Sequence, residues 1–551
     1  MKTMKMLCDL PQVFASVMIV SSLFFIQSRS ASAADAPAAA PASPEVRLAA
    51  IFNSGMVLQH GQEVPIWGWA AAGQKVTITL EGKSYEAVAD KDGQWMVRLP
   101  AHKPSSDPSE ITVAGKNTIT LKDVLFGDVW ICAGQSNMGW GVCGPGMPEE
   151  IAKMNYPTIR QYFYYRTPAF KPERDPVNHG NWRSADPKNV GEFCGVGFWF
   201  ARRVQRDIKI PIGLIQTAYG SSAGETWAPA EAFRNDPDFA PMFDRTKDVS
   251  PETLAEETRI YREYKKQVAK WEVDAKAAKE TGRPEPSKLK DPPEKVAYAM
   301  RHTPGYCWDG IIAQIVPYRI QGVLWYQGES NSDRAFQYRK VMPIIIEQWR
   351  KQWNQGDFPF LLVQIANLGG APGEECNSAF AELREAQAMT AAKVKNCYYG
   401  VSFDTGDYNN NYDVHPINKW DTGERMALVA MAKVYGKEVE YLGPVLESAK
   451  FEDGKCVLTF SHAEGGFRLG RDGADKEARA FAMAGEDKKF AWAEAKIDGN
   501  KIVLTSAKVP KPVAVRYAWN GNPRVNLYNK AGLPAAQFRT DDWPGVTVNN
   551  K

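Results

Sequence analysis

VLFGDVWICAGQSNM, residues 124–138, decides the fold. Asp128 to Ala133 reads as an apolar strand that stops at Gly134 and gives way to the polar turn Gln135-Ser136-Asn137-Met138. An uninterrupted apolar strand is what a parallel sheet covered on both faces requires. Four more such runs follow: IPIGLIQTAYG (210–220), IQGVLWYQGES (320–330), FPFLLVQIANL (358–368) and NCYYGVSFDTGD (396–407). Each ends in glycine or polar residues. Helical patterns separate them, among them AFAELREAQAMTAAKV (379–394) and TGERMALVAMAKVYG (422–436). Alternating buried strands and helices predict a parallel α/β domain over residues 125–436.

Outward from this centre the texture changes on both sides. VPIWGWA (64–70), KVTITL (75–80), YEAVAD (85–90) and WMVRLP (95–100) are short β-rich runs between Gly, Asp and Lys turns, which predict a sandwich-like β domain over 47–124. Beyond residue 437, KCVLTF (455–460), RAFAMAG (479–485), FAWAEAKIDGNKIVLTS (490–506) and KPVAVRYAWN (511–520) predict a second β region reaching 551. Within the α/β domain, about residues 245–300 read as a helical insertion. Ser250 and Pro251 supply a cap and first turn, and Tyr261, Tyr264, Val268 and Trp271 fall near helical spacing. Its density of Lys and Glu predicts a solvated helix, followed by a Pro-rich return.

Composition narrows the function classes. The chain has 551 residues, 11% aromatic with 17 Trp, and a formal net charge of +3. So small a net charge gives no reason to expect nucleic acid or an anionic membrane as a partner. Residues 1–33 read as a signal peptide: Lys2 and Lys5 begin it, Val13 to Ile26 is a short apolar run, and Ala31-Ser32-Ala33 supplies the cleavage pattern. The expectation is cleavage after Ala33, a secreted or periplasmic protein, and an Ala/Pro-rich linker over 34–46. No later run is long enough to predict an integral membrane segment. Seven of the eight cysteines follow the signal, with no CxxC pair and no tight Cys/His cluster, so no structural metal is expected. An exported protein could pair some of them; buried thiols are the equal alternative.

Ligands of open α/β sheets bind beyond the carboxyl ends of the strands, and four polar clusters fall there. Ser136 follows a strand and Gly134; held on a tight turn it can attack a carbonyl and offer its own N–H, though alone it reads as well as a helix cap. Gly220 could approach a substrate oxygen because it has no Cβ, or be a plain turn residue. Gln327 offers an amide donor, and Glu329 a carboxylate able to fix the cluster. DVHPINKW (413–420) places Asp413, His415 and Lys419 just before the last helix of the domain. Four clusters at strand ends together point to a Ser–His hydrolase.

The sequence also resembles the sialate O-acetylesterase family, a branch of the SGNH-type hydrolases. The resemblance is carried by MVLQH (56–60), VPIWGWA (64–70), GDVWICAGQSNM (127–138), VLWYQGESN (323–331), LREAQ (383–387), DVHPINKW (413–420), GERMALVA (423–430) and VRYAWNGNPRVNLYNKAGLPAAQFRTDDWP (515–544). It spans nearly all of the chain after the signal. It implies an SGNH-like three-layer α/β/α domain, Ser136 as nucleophile, His415 as base, and an oxyanion hole from Ser136 N–H, Gly220 and Gln327. Gln135, Asn137, Glu329 and Asn331 would shape the site. No metal or organic cofactor is implied. The family's acid stands three residues before the histidine; here that position is Tyr412, and Asp413 stands two before. Ser221 takes the place of a second glycine after Gly220. The implied substrate is an O-acetylated sugar, foremost an acetylated sialic acid, with acetylated xylan or pectin as the alternative. A carbohydrate-binding protein with an inactive hydrolase domain is the rival class, which intact Ser136 and His415 argue against.

Overall fold

The computed structural model describes residues 45–142, 147–163, 168–172, 180–284, 286–287, 289, 295–374, 376–406 and 413–551. The expected signal peptide and all but the end of the linker lie outside these residues, as does Tyr412.

A mixed sheet forms the centre. Its strands, numbered here from the one that carries the opening motif, are β1 (Thr118–Gly134), β2 (Tyr156–Phe163), β3 (Asn181–Ala185), β4 (Ile212–Gln216), β5 (Gly322–Tyr326), β6 (Phe360–Val363) and β7 (Cys397–Gly400), in the spatial order β3-β2-β4-β1-β5-β6-β7. All neighbours run parallel except the edge pair β3 and β2. The chain builds outward on one side of β1 and then returns to build on the other. The carboxyl end of β1 is therefore the topological switch point, the crevice where doubly wound sheets bind ligands.

Alternation along β1 explains the layers. Trp130 and Cys132 face one side and pack with helices α1 (Gly195–Ile208) and α5 (Lys419–Lys433), through Val196, Phe200, Val204, Met426, Val429 and Ala430. Val129, Ile131 and Ala133 face the other side and meet α3 (Ala335–Trp353) and α4 (Ala379–Lys393), through Ile345, Trp349, Leu383 and Ala386. The result is the expected α/β/α sandwich.

β1 is much longer than the apolar run that announced it. Its first half pairs with the strand Ser105–Ala114 of the amino-terminal β region, and its second half is the centre of the parallel sheet. One strand thus crosses residues 124–125 without a break. The apolar face of the amino-terminal region, including Ile66, Ile78, Val97 and Ile111, belongs to the same continuous core as Val129 and Ile131.

The carboxyl-terminal β strands have a separate core around Phe460, Phe481, Ile502 and Tyr517. They are moored to the α/β layer by buried polar groups. Asp404, fully buried, accepts two bonds from Arg425 and one each from Arg471 and Tyr528. Arg384 of the LREAQ segment, also fully buried, donates to the carbonyls of Asn520 and Gly521.

The insertion is helix α2 (Pro251–Glu280), entered through a capping box in which Ser250 Oγ accepts from Thr253 N and Thr253 Oγ1 accepts from Ser250 N. Tyr261, Tyr264, Val268 and Trp271 form its half-buried stripe; Ala278 is its one buried residue, so the helix is solvated as its composition predicts. Among the described residues no helix is long and apolar enough to cross a membrane. Six cysteines are described, and all are buried free thiols.

Candidate active site

Gly134 ends β1 with φ +130°, and a Cβ there would stand 2.1 Å from the carbonyl oxygen of Tyr326 on the neighbouring strand. No other residue allows β1 and β5 to approach so closely while the chain turns upward. Gln135 N then donates to that same Tyr326 oxygen, at 3.0 Å. The short helical turn Ser136–Gly139 follows. Ser136 N–H opens that turn and so has no intrahelical acceptor. The Gln135 side chain, 3% exposed, turns its Oε1 to the N–H groups of Gly328 (3.2 Å) and Ser330 (3.3 Å), tying the turn to the loop after β5.

The structure brings His415 to Ser136. His415 Nε2 lies 2.8 Å from Ser136 Oγ, and His415 Nδ1 lies 3.0 Å from Asp413 Oδ1. The same Asp413 oxygen accepts the backbone N–H of His415 at 2.9 Å. A two-residue spacing suffices because the carboxylate bends back over its own turn. The Asp413 side chain is 71% exposed, against 25% for the histidine. Burial pushes the His415 imidazole below the ordinary histidine value; Asp413 works against that and Lys419 works with it. The ring is therefore neutral, and able to accept a proton, over a wider pH range than a free histidine. The Trp140 ring lies beside it, with centroids 5.2 Å apart.

Gly220 stands next to Ser136: a Cβ built on it would come 4.0 Å from Ser136 Cβ. The following Ser221 has φ +56°, a left-handed conformation that favours glycine, which accounts for the family's glycine at this position.

Gln327 is placed differently from the expectation. It is fully buried, and its Nε2 donates to Ser222 O (3.1 Å) and Asn331 Oδ1 (2.7 Å), while its Oε1 accepts from Tyr338 OH (2.9 Å). Both amide hydrogens are committed, so the geometry makes it a brace under the Gly220 loop, not an oxyanion donor. Turning the amide over would set its oxygen against two acceptors. Asn331 shares this bracing: Oδ1 also accepts Gly224 N, and Nδ2 donates to Glu225, which pairs with buried Arg334 at 2.8 Å.

Asn137 and Glu329 meet on the other side of the turn. Asn137 Nδ2 donates to Glu329 Oε1 at 2.6 Å and to the Val414 carbonyl at 2.9 Å. Burial pushes the Glu329 carboxyl up, which Asn137 and Lys419 oppose. Two residues here went unassigned from the sequence. Lys419, named from the sequence beside Asp413 and His415 but given no role, is 2% exposed, its Nζ donating to Asn137 Oδ1. Trp140 carried one signal, an aromatic four residues after the serine.

A hydroxyl and an imidazole in contact above the switch point of a doubly wound sheet suit ester hydrolysis, and the comparisons with known proteins agree. Residues 126–256 and 309–432 match the family described as carbohydrate esterase, sialic acid-specific acetylesterase. A carbohydrate acetylesterase from Xanthomonas citri has a similar structure, with 31% identity and a TM-score of 0.74, covering 91% of this chain and 100% of that one. The sialate O-acetylesterases of Pongo abelii (26% identical) and Homo sapiens (25%) each match 91% of this chain and 94% of their own length. The protein is a carboxylic ester hydrolase that removes O-acetyl groups from carbohydrates. It belongs to the sialic acid-specific acetylesterase family of carbohydrate esterases.

Proposed function

We propose that this esterase acts on O-acetylated sialic acids through a Ser136 nucleophile and a His415 general base, with Asp413 orienting the ring. The observation that carries the mechanism is the 2.8 Å contact between His415 Nε2 and Ser136 Oγ. The substrate class is supported by the family description and by relatives named sialate O-acetylesterase along nearly their whole length.

His415 Nε2 takes the Ser136 proton as Oγ bonds to the acetyl carbonyl carbon. The carbonyl oxygen becomes an oxyanion, received by the N–H groups of Ser136 and Gly220. The bond from carbonyl carbon to sugar oxygen breaks, and the imidazolium protonates that oxygen, releasing the free hydroxyl. Water then gives a proton to His415 as its oxygen attacks the acetyl-enzyme. Ser136 Oγ leaves, recovers its proton from His415, and acetate departs.

The test is acetate release from O-acetylated N-acetylneuraminic acid set against acetylated xylan and pectin. A preference of at least tenfold in kcat/KM for the sialate is expected. Equal or better turnover of the plant polysaccharides would overturn the substrate assignment. Export is a second part of this reading, supported by Lys2, Lys5, the Val13–Ile26 run and Ala31-Ser32-Ala33. Its check is the amino terminus of the protein recovered from the periplasm or medium, expected at Ala34.

A further inference from the structure

Among the described residues, Asp413 binds only within its own turn: its carboxylate takes the backbone N–H and the Nδ1 of His415, two residues on. This fixes the imidazole relative to residues 413–415 and does nothing to hold those residues against the nucleophile. Among the described residues, one hydrogen bond besides the Ser136–His415 contact joins the 413–415 segment to the nucleophile turn. It runs from Asn137 Nδ2 to the Val414 carbonyl, at 2.9 Å. Asn137 directly follows the nucleophile, and Val414 directly precedes the base.

The amide that makes this bond is held at both ends by charge. Glu329 Oε1, from the loop after β5, accepts from Nδ2 at 2.6 Å; Lys419 Nζ, from the start of α5, donates to Oδ1 at 2.5 Å. Asn137 is fully buried and Lys419 is 2% exposed, so water does little to screen the pair. A flipped amide would turn its NH2 toward the ammonium and its oxygen toward both Glu329 and the Val414 carbonyl. The two charges therefore enforce one orientation, the one that grips the base loop.

We propose that Asn137, oriented between Glu329 and Lys419, is a positioning residue that sets the reach of His415 to Ser136 by clamping the Val414 carbonyl to the nucleophile turn. This rests on the Ser136–His415 reading, which Ser136→Ala tests separately: a fully active Ser136→Ala enzyme removes the site itself, whatever Asn137 does.

The experiment uses the full chain with p-nitrophenyl acetate and an acetylated sialic acid, and follows kcat, KM, thermal midpoint and the pH profile of kcat/KM. Asn137→Leu keeps the branched shape of the side chain and loses the clamp. It is expected to lower kcat by about 10²-fold, the scale of a roughly 1 Å misplacement of reacting groups, with KM changed less than about threefold. Lys419→Gln releases the amide and also removes the cation that works against the Asp413 anion in setting the His415 pKa. Its kcat is expected to fall, and the acidic limb of kcat/KM to move to higher pH, because the imidazole then protonates more readily. Lys419→Arg should restore both. A folded Asn137→Leu enzyme with kcat within threefold of the parent overturns the proposal, and so does a loss carried by KM. If Asn137→Leu does not fold, Lys419→Gln decides alone: a kcat within threefold of the parent overturns the clamp, wherever the acidic limb lies.

Discussion

Gln135, Asn137 and Met138, which surround Ser136, are each at most 3% exposed, whereas the Asp413 carboxylate beside His415 is 71% exposed. The two halves of the site are built by different means. The Ser136 turn grows from the central strand, is tied to the loop after β5 by Gln135, and stands beside a Gly220 loop braced from below by Gln327 and Asn331. His415 follows the edge strand β7 in the chain, yet it meets Ser136 at the end of the central strand. Among the described residues, the hydrogen bonds of residues 413–415 are local apart from the contact with Ser136 and the grip of Asn137, and the Trp140 ring lies beside His415. The rigid half holds the groups that must not move while charge develops on the substrate. The lighter half holds His415, which in the proposed mechanism picks up and returns a proton at each step.

The comparison breaks most visibly at the reacting atoms. Ser136→Ala and His415→Ala should each lower kcat by about 10⁴–10⁶-fold, the range seen when one member of a nucleophile–base unit is lost. Acetate release with active-site titration checks this, and a His415→Ala enzyme within tenfold of the parent would remove the base assignment.

Next comes the buried side. Gln327→Ala leaves Ser222 O, Asn331 Oδ1 and Tyr338 OH without their partner in the core, so a stability loss of about 2–4 kcal/mol is expected in urea unfolding. An oxyanion donor would give the opposite pattern, a large fall in kcat with an unchanged unfolding midpoint.

The exposed side should respond less. Asp413→Asn is expected to cost about 10–10²-fold in kcat, because a carboxylate open to water stabilises the imidazolium weakly. A loss near 10⁴-fold, as in triads with a buried aspartate, would show that Asp413 acts as strongly as a buried one.

A smaller effect concerns pH. With burial lowering the His415 pKa, the base is neutral above that lowered value and charged below it. Activity should rise with pH along an acidic limb centred below 6.5, read from kcat/KM for the free enzyme. A limb at or above 6.5 would contradict the burial argument.

The smallest effect is at the loop beside the nucleophile. Ser221→Gly relieves a left-handed serine and adds freedom to the unfolded chain, which together predict a gain of about 1 kcal/mol or less. A measured loss would mean that the serine side chain contributes more than its strain costs.

Much of this was legible in the chain. Apolar strands ending in polar clusters announced a parallel sheet with its chemistry at the strand ends, because burial on both faces leaves an unmistakable run of hydrophobic residues. β1 was read from Asp128, where that run starts. Its first half, Thr118 to Gly127, carries mixed residues because it pairs at the border of a second sheet, and local pattern gives no sign that one strand serves both.

The sequence by itself determined the class of fold and singled out Ser136 and His415, the two side chains that the structure brings into contact, since Gly134 with Ser136 and the His415 loop are features of local chemistry at strand ends. Tertiary structure alone decided what the remaining polar residues do. Gln327 and Lys419 could each have faced a substrate or water. Which acceptors surround an amide, and whether an ammonium is covered, depend on residues far away in the chain: Ser222 for the one, Asn137 for the other. A buried polar group must bond to whatever the packing places beside it, and that choice is written in the fold, not in the residue.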